Sequence, residues 1–159
     1  MTLFGFREAS RMINNLAHDI EIIQMEGMRQ IGLEAEKTAV EYLQKQDLGC
    51  KPLSERYKAL KKRKGLSEKT LIATSTYFQS ITSWTTKQAI YVGVKRNVKN
   101  KDGEEVANIA KVHEYGSVKR NIPARPLWKP TLVEMQGRLA KRTPFVTAMF
   151  KYVKRKYGA

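Results

Sequence analysis

The sequence predicts an α+β fold, in which a long N-terminal helix packs on a small antiparallel sheet and further helices follow at the C-terminus. Three observations lead to this prediction. A proline-free stretch near the start repeats apolar residues at helical spacing, a central stretch is rich in β-branched and aromatic residues, and the C-terminal stretch returns to helical spacing. With 159 residues, 42% of them hydrophobic, the chain suits a single domain over residues 1–159 with one core.

The long helix is predicted over residues of about 8–46. Its apolar residues follow one another at steps of three and four, and we expect them to face the core. They are Ile13, Leu16, Ile20, Ile23, Gly27, Ile31, Ala35, Ala39 and Leu43. Gly49 and Pro52 come next, and both residue types are typical of a helix end.

An α+β core is predicted over residues of about 52–132. A short helix begins at Ser54 and ends at Gly65. Residues 80–86 and 89–95 predict the two strands of a hairpin. Apolar spacing favours another short helix over residues 106–116. Residues 117–128 are expected to be extended, because a residue that precedes proline is disfavoured in the helical region.

Two helices are predicted at the C-terminus. Residues 131–142 place Leu132, Met135 and Leu139 on one inward face. The second helix, over residues of about 144–157, starts with proline, which is favoured at a helical N-terminus, and is strongly basic. Its apolar stripe comprises Phe145, Ala148, Met149, Tyr152 and Val153.

The charge is large and unevenly distributed. The chain carries +15 in total, while residues 1–50 hold eight acidic and five basic side chains, so the remaining residues carry +18. This balance predicts an acidic partner: nucleic acid, an anionic membrane face or an acidic protein surface. Two basic clusters are candidates for contact with DNA or for the lining of a channel. They are Lys58, Lys61, Lys62, Arg63 and Lys64, and Lys154, Arg155 and Lys156.

Catalytic and metal sites are not predicted. A zinc-protease helix would need a second histidine four residues after His113, where Ser117 stands. His18 and Cys50 are isolated in the sequence, and phosphate-binding loops, serine elbows and acidic clusters for Mg²⁺ are absent. We therefore expect no enzymatic activity and no cofactor. His113 is interpreted as a half-buried helix residue whose ring nitrogens find backbone or carboxylate partners.

The compartment is predicted from what the sequence lacks. No apolar run approaches the roughly 20 residues that span a bilayer, and the first residues do not form a signal peptide. A lone Cys50 cannot form an internal disulfide. These features predict assembly in the cytoplasm without a membrane partner.

The segment "IPARPLWKP" (122–130) is predicted to be a docking edge for another protein. Its three prolines stiffen the chain and so lower the entropy lost on binding, and Arg and Trp are enriched at interface hot spots. We expect Glu114 to pair with Arg125 of its own subunit or with Arg120 of the next. The predicted interface residues are Glu114, Arg120, Pro123, Arg125, Pro126 and Trp128. A proline-rich crossover that packs on its own core is the alternative.

Two sequence segments, which follow each other along the chain, resemble segments of a known protein family. The first is "PLSERYKALKKRKGLSEKTLIATSTYFQSI", and the second is "VGV", "AKVHEYG" and "IPARP" in succession. Together, over residues of about 50–132, they resemble the virion morphogenesis proteins of tailed bacteriophages known as tail completion proteins, which sit at the neck between head and tail. One departure is Thr74-Ser75, where that family usually has Thr-Gly.

The resemblance implies a non-enzymatic α+β subunit with no catalytic residues to carry over. It implies a virion protein, assembled in the host cytoplasm, that forms a ring at the head–tail junction, with a hexamer as the expected form. Its implied partners are other copies of itself, the tail tube or tail terminator protein, and the head completion or connector protein, with nonspecific contact to phage DNA. A free, non-sequence-specific nucleic-acid-binding protein is the alternative reading.

Overall fold

The computed structural model describes residues 3–73, 75–141 and 144–157. It confirms the α+β class, with a long N-terminal helix, a two-stranded antiparallel sheet and C-terminal helices. The elements in chain order are α1 (Leu3–Lys45), α2 (Glu55–Arg63), α3 (Thr76–Gln79), β1 (Ile81–Thr85), β2 (Ile90–Val94), α4 (Val106–Tyr115), α5 (Trp128–Lys141) and α6 (Pro144–Tyr157).

The hairpin packs against the middle of α1. Its strands pair in an antiparallel register that sets Ser83 opposite Val92. Gly32 of α1 allows this close approach, because a Cβ atom there would lie 3.2 Å from side-chain atoms of Ser83 and Ile90. The Glu36 carboxylate of α1 accepts hydrogen bonds from the Ser83 amide (2.9 Å) and hydroxyl (3.0 Å). Helix α1 therefore satisfies polar groups of β1 that the hairpin leaves unpaired.

Carboxylates of α1 also form ion pairs with lysine and arginine side chains of later elements. Asp19, which is buried, pairs with Lys156 of α6. Glu34 lies 3.6 Å from Arg138 of α5, and Glu21 lies 3.2 Å from Lys87 in the hairpin turn. The uneven charge of the sequence thus has a structural use, since the acidic first third neutralises basic groups that pack on it. Lys156, predicted to contact DNA, is engaged in this way.

The core lies at the C-terminal half of α1, where buried residues of several elements meet. They are Ala39, Leu43, Tyr77, Ile81, Val106, Ala110 and Leu127. The predicted inward face of α1 is confirmed for Ile23, Ala35, Ala39 and Leu43. It is wrong for Ile13, Leu16 and Ile20, which are exposed. The helical periodicity continues there, but the described residues of the other elements leave these three side chains exposed.

The two C-terminal helices correct part of the predicted packing. On α5, Met135 is buried as predicted, but Leu132 and Leu139 are exposed. Thr131 and Met135 define the buried side of α5, and Arg138 from the next turn donates to Thr38 of α1 (3.1 Å). On α6, Tyr152 is half-buried. The side chains of Phe145, Ala148, Met149 and Val153 lie outside the described part of the structure.

Helix α5 begins at Trp128, three residues before the predicted start, and the extended segment before it is confined to residues 123–126. Residues 117–122 form a turn closed by two hydrogen bonds between Ser117 and Ile122, of 2.8 and 2.9 Å. Helix α2 begins as predicted, with the Ser54 hydroxyl accepting from the Tyr57 amide. Among the described residues, no helix is both long and apolar enough to cross a bilayer.

Candidate functional site

Residues 113–129, which we call the clasp, join the end of α4 to the start of α5. One carboxylate oxygen of Glu114 accepts hydrogen bonds from the amides of Leu127 (2.7 Å) and Trp128 (3.1 Å), and the other accepts from the amide of Lys129 (3.2 Å). The first amides of a helix lack partners within the helix and lie at its positive end. Glu114 therefore caps α5. The pairing expected with Arg125 of its own subunit is wrong, and the pairing with Arg120 of the next subunit stays a prediction.

The clasp brings the chain back against α4. Gly116 has φ +74° and ψ 178°, a conformation that is nearly restricted to glycine. A Cβ atom there would lie 2.8 Å from the Ala124 nitrogen and 3.0 Å from the Ile122 oxygen. Next to this contact, the Arg125 amide donates to the His113 carbonyl at 2.6 Å. The HEYG and IPARP segments thus hold each other within one chain.

The predicted outward docking edge is wrong for the residues at its centre. Arg125 is only 8% exposed, and its Nε donates to the Lys51 carbonyl at 3.4 Å. Leu127 is fully buried, and Trp128 packs against the core. The prolines stiffen a crossover on the chain's own core. Arg120 and Pro123 are exposed and Pro126 is half-buried, and an interface through them stays a prediction.

Below the clasp lies an open groove of about 1430 Å³. It is bordered by residues 51–55 and Tyr57, by the loop after α2, by α4 and by the clasp. Its apolar walls include Leu53, Leu71, Ile72, Ile109, Val118 and Ile122. Lys61, Tyr77, His113 and Arg125 also line it, and burial together with the charge of Glu114 raises the pKa of Tyr77 well above its usual value.

Lys61 corrects the prediction for the basic helix α2. It is 4% exposed, and its Nζ donates to the carbonyls of Lys69 (2.7 Å) and Ile72 (2.9 Å). Desolvation and the Arg125 charge lower its pKa. A long side chain that fixes a loop in this way is structural. It is not available to bind DNA.

The other residues of the two predicted basic clusters form two separate surfaces. Lys62, Arg63 and Lys64 are exposed on α2, while Lys58 is half-buried and pairs with Glu55 at 2.7 Å. Lys154 and Arg155 are exposed on α6, whose end lies beside Asp19 of α1. The α2 region instead meets α1 near Gln44, through Lys69. About 37 Å of helix separates these two points of α1, so the basic clusters do not form one patch.

His113 is a half-buried helix residue, as predicted, but the expected pairing of its ring nitrogens is wrong for Nδ1. Its Nδ1 atom is buried and has no hydrogen-bond partner within the described residues, although we expected both ring nitrogens to be paired. Desolvation and the nearby Arg125 charge lower the pKa of the imidazole. No group of three or more His, Cys, Asp or Glu side chains within the described residues could hold a metal ion.

A second candidate surface is the N-terminal part of α1. Every described side chain from Gly5 to His18 is exposed, and we call residues 5–18 the helical arm. Phe6 is 80% and Ile13 66% exposed, and Leu16 and Ile20 continue the same face. Phe6, Ile13 and Ile20 are spaced by seven, with Leu16 between the last two, which is the apolar repeat of a helix that packs on another helix.

Gly116→Ala is expected to destabilise the clasp strongly. Its methyl group would collide with backbone atoms of Ala124 and Ile122, which costs roughly 1–3 kcal/mol beyond the strain of placing alanine at a positive φ. Gly103→Ala is the matched control, since Gly103 has φ +81° and open space around it. Urea denaturation of both variants measures the difference. Equal losses for the two variants would contradict the close approach at Gly116.

Stability is expected to fall as the pH drops through about 6.5, because His113 is less readily protonated in the folded chain than in the unfolded chain. Between the two pKa values the unfolded state binds more protons, so the free energy of unfolding decreases with falling pH. His113→Gln should flatten this dependence between pH 7.5 and about 5.5. Unfolding midpoints across that range test it.

The control for the pH series is His18→Gln, because the His18 side chain is 82% exposed. This variant should keep the loss of stability on acidification. If His113→Gln and the parent chain show the same pH dependence, the buried imidazole is not its source.

Comparison with known proteins identifies one curated relative. It is 33% identical to this chain over 128 residues, which cover 79% of this chain and 83% of the relative. The relative is Uncharacterized protein MJ0331 of Methanocaldococcus jannaschii. No family model matches the chain, and no solved structure matches it. The identity and coverage show that the chain belongs to the same protein family as this archaeal protein.

Proposed function

We propose that the chain is a structural virion component, a tail completion protein that joins the tail to the head in tailed bacteriophages. In this proposal several copies form a ring at the neck, with a hexamer as the expected form. The ring contacts the tail tube or tail terminator protein on one side and the head completion or connector protein on the other. It uses no cofactor and performs no catalysis.

The exposed apolar face of the helical arm, which continues to Ile20, is the observation that carries the proposal. Four large apolar side chains at helix-packing spacing are exposed over one face of α1. Contiguous exposed apolar surface on a folded chain marks a site of contact with another protein. A neck subunit needs such surfaces, because it must bind a neighbour within its ring and proteins above and below. Repeated contact between two different faces of the same subunit closes a ring when the rotation from one subunit to the next is a whole fraction of a turn.

The family motifs support the proposal through their structural roles. Glu114 and Gly116 build the clasp, which explains why a non-enzymatic family would carry "HEYG" and "IPARP" in this order. Ser75 occupies the position where tail completion proteins usually have glycine, and its φ is +64°. A left-handed residue is what glycine best accommodates, so the local backbone fits that family's pattern despite the substitution.

Mass spectrometry of purified virions from a phage that encodes the chain tests the proposal. We expect the protein at a few copies per particle, and immunogold labelling should place it at the neck. Recovery of intact, tail-joined virions that lack the protein would contradict the proposal. A label over the capsid or the tail tip would contradict the assigned position.

Ile13→Asp combined with Leu16→Asp is expected to abolish incorporation into particles while the chain remains folded. Both side chains are exposed, so their replacement should change stability by less than about 0.5 kcal/mol. Loss of two apolar anchors at an interface removes on the order of 1.5–3 kcal/mol each, enough to lower infectivity at least ~100-fold. The measurement is complementation of a phage that lacks the gene, with thermal melts of the purified variant.

Asn14→Asp combined with Asn15→Asp is the matched control, because it adds the same two charges to neighbouring exposed positions of the arm. It should complement far better than the apolar variant. Equal complementation by the two variants would show that the apolar face of the arm is not an assembly surface.

A non-sequence-specific nucleic-acid-binding protein is the second candidate. It is favoured by the exposed cluster Lys62, Arg63 and Lys64, which can contact phosphate. Retention on DNA of unrelated sequences at about 0.15 M salt, lost when these three residues become Glu, would support it. Lys61 must be left unchanged in that variant, since it is part of the fold. Free DNA binding together with absence from virions would favour this function over the first.

A further inference from the structure

The groove below the clasp holds two cationic side chains, Lys61 and Arg125, for which no ion pair within 4 Å is found among the described residues. The Arg125 side chain is buried, and Nε supplies its one hydrogen bond among the described residues, to the Lys51 carbonyl. A guanidinium has five N–H donors. The four at its outer nitrogens make no hydrogen bond in the described part of the chain, and no carboxylate there lies within 4 Å of them. The two outer nitrogens are not sealed from solvent, so an acceptor in the groove can reach them.

Lys61 adds a second charge next to Arg125. The two are close enough for the charge of Arg125 to lower the pKa of Lys61. Both of the groups that Lys61 binds are neutral carbonyls. The oxygens of Glu114 are occupied by the amides of Leu127, Trp128 and Lys129, and Glu68 acts on Lys61 through its charge without an ion pair within 4 Å. Glu55 and Asp102 also line the groove, but both are exposed and Glu55 pairs with Lys58.

The shape of the groove indicates the size of its occupant. Its volume of about 1430 Å³ exceeds the roughly 300–1,000 Å³ of typical small-molecule pockets. Apolar side chains such as Leu71, Ile109 and Ile122 form much of its walls. An extended protein segment would fill such a groove with its aliphatic side chains and could carry one acidic side chain down to Arg125. Carboxylates bind guanidinium groups in a paired, two-bond geometry.

We propose that this groove binds an extended acidic segment of another protein, with one carboxylate of that segment held by the outer nitrogens of Arg125 beside Lys61. The site is separate from the helical arm. It does not depend on the chain being a virion protein, since any acidic partner could supply the segment. In a neck ring, it would be a second contact, made to a neighbour of different sequence.

The test uses a pair of blocked synthetic peptides that differ only in charge, Gly-Leu-Asp-Glu-Leu-Gly and Gly-Leu-Asn-Gln-Leu-Gly. Both are acetylated and amidated, so that side chains supply the only carboxylates. Titration of the full chain is followed by NMR, through its amide signals and the Arg125 Nε–H signal. We expect the acidic peptide to bind at least ~10-fold more tightly, with shifts at Gly116, His113 and Arg125.

Arg125→Lys keeps the positive charge but removes the paired N–H donors of the guanidinium group. It should weaken binding of the acidic peptide about tenfold. Arg56→Lys is the control, since Arg56 is exposed on α2 and does not line the groove; it should bind like the parent chain. If Arg125→Lys does not fold, the shift map of the parent chain decides the question.

Three results would overturn the proposal. The first is equal binding of the two peptides, which would show that the groove binds through apolar contacts alone. The second is no binding of the acidic peptide at millimolar concentration, or shifts outside the groove. The third is displacement of the acidic peptide from Arg125 by low concentrations of single-stranded oligothymidylate, which would assign the site to phosphate.

Discussion

The carboxylate of Glu114 at the N-terminus of α5 is the interaction on which the arrangement around the groove depends. The amides of Leu127, Trp128 and Lys129 converge on it, so the start of α5 is fixed against the end of α4. That placement puts Leu127 into the core and buries the Arg125 side chain beside the groove. Gly116 makes the return of the chain possible, because no side chain would fit between α4 and the backbone at Ala124.

Much of the fold could be predicted from local patterns. The hairpin, α4 and α6 lie close to their expected bounds, because β-branched composition, apolar spacing and a starting proline are local signals. The burial of α1 could not be predicted in the same way. Its apolar spacing runs through Ile13 as it does through Ala39, and only the tertiary arrangement decides that the hairpin, α5 and α6 leave the first turns uncovered.

The candidate site was predictable in its location but not in its role. A stiff, arginine-containing, proline-rich segment serves equally as an outward edge and as an inward crossover, and the sequence alone does not choose between them. Lys61 is one of several basic residues in a row, and the sequence around it does not indicate that its amino group binds the carbonyls of Lys69 and Ile72. The one available signal was Glu114 itself, an acidic residue upstream of a helix start that has no acidic residue in its first turn.

The central claim is that the HEYG and IPARP segments form an internal clasp organised by Glu114. Native-state hydrogen exchange of the amides of Leu127, Trp128 and Lys129 tests it most directly, in the parent chain and in Glu114→Ala. The account predicts slow exchange of these amides in the parent chain, and fast exchange with a loss of about 1–3 kcal/mol of stability in the variant. Unchanged protection and unchanged stability in Glu114→Ala would contradict it.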